Sequence, residues 1–119
     1  MNAKLQQLVR AMLDQTRADK LKWQSVDEMS FRAFVGSGLV RMTKGGRQGE
    51  NEYGELANYP YFRFVVSDSE GNVVFDEEIA DGETFYETSK SLFGEARRTA
   101  FNADKVVDSM LSSMGVSGS

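Results

Sequence analysis

Three observations predict a two-layer α+β domain. Apolar residues alternate with polar ones between residues 31 and 78, they recur at helical spacing at both ends of the chain, and Gly-containing turns fall where the alternating runs must reverse. The expectation is an antiparallel meander of four to five strands, with one face covered by an N-terminal helix and two C-terminal helices. A chain of 119 residues suits one domain, expected over residues 1–115, with 116–119 a flexible tail. Apolar residues make up 40%, with eight Phe, four Tyr and one Trp, enough for one real core.

The first helix is predicted over residues 2–18. Leu5, Leu8, Val9, Met12, Leu13 and Thr16 form its stripe, and Lys4, Gln6, Gln7, Arg10 and Asp14 lie off it. Leu21 and Trp23 alternate with Lys20 and Lys22, the pattern of a short edge strand, with Trp23 a lid on the core.

"FRAFVGSGLVRM", residues 31–42, then reads as a hairpin turning at Gly36-Ser37. That turn sets Val35 opposite Gly38, Phe34 opposite Leu39, Ala33 opposite Val40, Arg32 opposite Arg41 and Phe31 opposite Met42. Phe31, Ala33, Val35, Val40 and Met42 share the core face. Arg32, Phe34, Leu39 and Arg41 share the other. A slip of one residue would drive an arginine into the core, so the pattern specifies its own register.

"GGRQGENEYGELANYP", residues 45–60, breaks the periodicity and ends at the only proline. It predicts a mobile loop, open to proteases over residues 45–58, rather than a ligand-binding one. "YFRFVVSDSEGNVVFDEE" predicts a second hairpin looping at Asp68–Gly71. Phe62, Phe64, Val66, Val73 and Phe75 face the core. Tyr61, Arg63, Val65, Val74 and Asp76 face out, with Arg63 opposite Asp76 and Tyr61 opposite Glu78. Thr84 to Glu87 spells a capping box. The helix after it buries Phe85, Leu92, Phe93, Ala96 and Ala100. Asn102 is expected to cap a last helix with the stripe Ala103, Val106, Val107, Met110, Leu111 and Met114, ended by Gly115.

Composition narrows the chemistry. Neither Cys nor His is present, which removes disulfides, thiolate zinc sites, Ser-His-Asp triads and histidine bases. The expected surroundings are the cytoplasm. No apolar run reaches the ~18 residues of a membrane span, and the N-terminus is too regularly polar for a signal peptide. Net charge is −4, divided as +5 over residues 1–48, −10 over 49–89 and +1 over 90–119. An acidic total speaks against generic nucleic-acid binding. The asymmetry fits two halves that lie against each other and neutralise.

An enzyme would have to work with carboxylates, Lys or Tyr. Asp76, Glu77, Glu78, Asp81 and Glu83 gather near a strand end and could hold Mg²⁺. The plainer account is a solvated acidic connection, with Glu83 and Glu87 favoured by a helix N-terminus. No enzyme, metal or cofactor is expected.

The amphipathic first helix, "KLKW", "FRA", "VSDSEGNVV" and "EARRTAF" together resemble a loose group of small uncharacterised bacterial proteins. The resemblance implies a bacterial origin and a fold, and brings no activity with it. The chain is also similar to the small acidic chaperones of type III secretion, which are short α+β proteins. Those place a helix within the strand series, and this sequence runs its four main strands without one.

The sharpest functional signal is on the outer sheet face. Arg32, Arg41 and Arg63 stand there beside Phe34, Leu39 and Tyr61. Asp76 can answer Arg63, whereas the opposed pair Arg32 and Arg41 has no acid in its own hairpin. Opposed like charges cost ~0.2–1 kcal/mol, which a fold can carry, so a structural ladder is one account. Arginines among aromatics also bind acidic segments and phosphates. The expectation is a non-catalytic protein-interaction module, an adaptor or regulatory partner, using these six residues. The runner-up is a small-anion or nucleotide-binding protein, and self-association through the same face is a further option.

Overall fold

The computed structural model describes residues 1–116. Its elements run α1 (Ala3–Arg17), β1 (Gln24–Asp27), β2 (Ser30–Val35), β3 (Gly38–Glu50), β4 (Leu56–Ser67), β5 (Val73–Ala80), α2 (Tyr86–Ala100) and α3 (Ala103–Ser113). The five strands form one antiparallel sheet in sequence order. This is the expected α+β class.

One core joins α1, α2 and the inner sheet face. Leu5, Val9 and Met12 of α1 meet Leu92 and Ala96 of α2 and the Phe-rich strands. Phe31, Phe62 and Phe64 are at most 1% exposed. Phe93 of α2 packs edge-on to Phe31 at 5.2 Å and tilted to Phe62 at 5.5 Å. α1 starts where Asn2 accepts the Lys4 N–H through Oδ1 at 2.8 Å. The Glu77 carboxylate accepts the Asn2 N–H at 3.1 Å, tying that cap to β5.

Trp23 is the expected lid, 3% exposed. Its indole N–H donates to Thr16 Oγ1 at 3.0 Å, and its backbone N–H donates to Thr99 Oγ1 at 3.2 Å. These bonds hold residues 21–23 against the helices, so the short strand begins at Gln24 rather than around Leu21 and Trp23. The first hairpin has the expected register at all five pairs.

Residues 45–60 overturn the expectation of a loop. They form a long two-stranded ribbon, with Lys44 opposite Phe62 through to Glu50 opposite Leu56, closed by a turn over 51–55. Polar composition concealed it. Gly45 lies opposite Tyr61, and a Cβ there would collide with the tyrosine ring. The ring thus covers the glycine backbone and supplies the packing that glycine lacks. Pro60 is tolerated because its carbonyl, and so its missing N–H, faces the side where β5 has just ended. That carbonyl accepts the Asp81 N–H at 3.2 Å. Asn51 makes the turn, its Oδ1 accepting the Tyr53 and Glu55 N–H groups at 2.9 and 3.0 Å.

The second hairpin closes one residue later than expected, at Asn72. Asp68 Oδ1 accepts the Glu70 and Asn72 N–H groups, both at 2.9 Å. A bulge at Val66 and Ser67 adds a further step, so Arg63 lies opposite Glu78 and Tyr61 opposite Ala80. The total shift is even, which keeps Phe62, Phe64, Val66 and Phe75 on the core side. Val73 is the correction: it opposes Ser67 and is 58% exposed.

The capping box does not form. Phe85, 4% exposed, is drawn into the core beneath Arg10, and the Tyr86 N–H bonds the Glu83 carbonyl. That turn consumes Thr84, and α2 starts at Tyr86 without a side-chain cap. Asn102 takes a left-handed conformation (φ 50°, ψ 47°) and reverses the chain into α3, also without a side-chain cap. α3 packs on α2 yet buries none of its side chains. Its apolar stripe therefore lies open instead of joining the core. Val116 closes α3 through an N–H bond to the Leu111 carbonyl at 2.9 Å. The rest of the expected tail, 117–119, lies outside the described residues.

Candidate functional site

The five strands place two adjacent rows of side chains on the outer sheet face, the second of them confined to β2–β5. One row runs Gln24, Arg32, Arg41, Val65, Asp76 across the five strands. The next runs Phe34, Leu39, Ser67, Val73. The first is charged, the second mostly apolar, and no helix covers either.

The four residues of the first hairpin are brought together as expected. Arg32 and Arg41 are register partners and both are exposed. Arg32 donates through Nε to the Gln24 Oε1 at 3.1 Å, a neutral partner on β1, and its guanidinium lies 5.9 Å from the Phe34 ring centre. Arg41 has no ion pair among the described residues; its neighbour on β4 is Val65. Phe34 is 63% exposed and borders a hollow with Leu8, Lys20 and Leu21. The opposed arginines are thus not spanned by acids from neighbouring strands.

Arg63 and Tyr61 share the face but are occupied. Arg63 makes two bonds to Asp76, at 2.8 and 2.6 Å, reaching diagonally past Glu78. That pairing holds the Asp76 carboxyl below the usual carboxylate range. Tyr61 covers Gly45 and lies under Arg47, whose guanidinium is 4.9 Å from the ring centre. Arg47 also pairs with Glu78. The free part of the face is therefore Arg32, Arg41, Phe34 and Leu39, with Val73 added at the apolar end.

The acidic cluster disperses. Asp76 and Glu78 face outward on their arginines, whereas Glu77 points inward to the α1 cap. Among the described residues no group of three or more Asp or Glu side chains converges as a metal site. No described helix is long and apolar enough to cross a membrane.

Sequence reasoning missed two participants. Gln24 is visible as a residue but not as the partner of Arg32, because the alternation of Leu21 and Trp23 with lysines predicts the strand earlier in the chain than β1 begins. The alternation of Val73 with Phe75 points both to the core, and the bulge that turns Val73 outward leaves no periodic trace. No family model, curated protein or solved structure matches the chain.

Proposed function

We infer that this protein is a non-catalytic interaction module, an adaptor or regulatory partner working in the cytoplasm of a bacterium. Its outer sheet face takes an extended acidic segment of a protein partner. The observation that carries this reading is the Arg32–Arg41 pair: two exposed guanidiniums side by side, with no carboxylate answering either among the described residues. Carboxylates from a partner would relieve the repulsion and engage both forks. The row of Phe34, Leu39 and Val73 beside them gives the apolar contact that a lone ionic site lacks. An open face with apolar flanks suits a peptide better than a small anion or nucleotide, which needs enclosure.

The test is a titration with a synthetic peptide alternating Glu and apolar residues, followed by calorimetry. Binding is expected, weakening as salt is added. Arg32→Glu with Arg41→Glu should abolish it and leave the melting temperature near that of the wild type, because both side chains stand in solvent. A double variant that folds and binds equally well contradicts the assignment.

A further inference from the structure

An apolar surface is left open on the helical layer, far in sequence from the arginine face. Phe101, Val106, Val107, Met110, Met114 and Val116 are between 46% and 70% exposed. Phe101, Val106, Val107 and Met110 line one groove between α2 and α3, together with Gly94 and Arg97. The groove is held open by a fixed scaffold. Arg98 bonds Glu95 at 2.9 Å, Asp104 at 2.9 Å and Asp19 at 3.1 Å, joining α2, the start of α3 and the end of α1. With Asn102 left-handed between the helices, α3 is set with its stripe outward.

We propose that this face is a homodimer interface, in which α3 of a second copy lies antiparallel in the α2–α3 groove. Three features choose that occupant. The first is area. Six side chains of this size, about half exposed, present roughly 600 Å² per copy, so two copies remove about 1,200 Å², the lower edge of stable interfaces. A two-fold axis makes the same patch serve both sides.

The second is charge. Asp104, Lys105 and Asp108 fall in the first half of α3, and Ser109, Ser112 and Ser113 in the second. Parallel pairing would bring each charge toward its own copy. Antiparallel pairing sets the charged half against the serine half of the second copy. The third is Gly94. A glycine inside a helix is unfavourable, and among the described residues nothing lies within 4 Å of where its Cβ would be. It leaves α2 bare on the groove side, where a docked helix can approach closely.

Sedimentation velocity over a concentration series tests this. The wild type should reach the mass of two chains. Val107→Glu with Met110→Glu should give one chain with an unchanged far-ultraviolet spectrum, since both side chains are more than half exposed within their own chain. Gly94→Leu should also give one chain, with a higher monomer melting temperature from better helix propensity. Arg32→Glu with Arg41→Glu should leave the dimer intact, which separates this interface from the arginine face. A single-chain mass at every concentration overturns the proposal, as does a dimer that survives the α3 substitutions. Collapse of the spectrum in the α3 variant overturns it too, because the stripe would then belong to the core.

Discussion

Single residues decide how much of this surface is free. Arg63 and Arg41 sit on neighbouring strands and differ only in what lies beside them. Asp76 takes one, and Val65 leaves the other bare. Burial makes Trp23 the opposite case. Its indole N–H has Thr16 Oγ1 as partner, and that hydroxyl in turn donates to the Met12 carbonyl at 2.6 Å. Trp23→Phe removes the bond and part of the packed ring, and should cost about 1–3 kcal/mol in urea unfolding. A change within experimental error would mean the indole is not a structural lid. Trp23 was legible as core from its alternation with lysines. Its hydrogen bonds were not, since Thr16 and Thr99 meet it only through the tertiary fold.

At the scale of elements, the clearest lesson is the β3–β4 ribbon. A strand is usually recognised by its apolar alternation, and Gly45, Gly46, Gln48 and Gly49 have none. What holds the ribbon is the cross-strand cover of glycine by Tyr61 and the Asn51 turn, pair effects invisible to a single-residue pattern. Amide exchange should therefore show protection at Gly45, Arg47, Gly49, Ala57, Tyr59 and Tyr61, whose N–H groups face the partner strand, with fast exchange at the turn over 51–55. Tyr61→Ala should uncover Gly45, release Arg47 and raise exchange along the ribbon alone. Protection lost from the whole sheet would contradict this local account. The first hairpin was fully legible, by contrast, because Gly36-Ser37 fixes the turn and a slip would bury an arginine. α3 was legible as a helix but not as an open one. Its stripe is apolar enough for a core, and only the geometry of α1 and α2 shows that the inner sheet face is already covered.

The molecule as a whole divides into a sealed inner layer, an arginine-bearing outer sheet face and an apolar helical edge. With no His, no side chain with an ordinary pKa titrates between about pH 5 and 8. The carboxyls of Asp19, Asp68 and Asp76 are all held low. Arg98 acts on the first, the Asn72 N–H groups on the second and Arg63 on the third. Groups depressed in the folded state add stability above their unfolded value and lose it as pH falls through the folded one. The melting temperature should be flat across neutral pH and fall below about pH 4, where Asp begins to protonate. A midpoint that moved between pH 6 and 8 would contradict that assignment. The two exposed faces make the function claim separable from the assembly claim, since a ligand must choose between them. The direct measurement is an amide chemical-shift map of the protein titrated with the acidic peptide. The largest shifts should fall on Arg32, Phe34, Leu39, Arg41 and Val73. Shifts confined to the α2–α3 groove, or no shifts at saturating peptide, would contradict the claim that the outer sheet face is the binding surface.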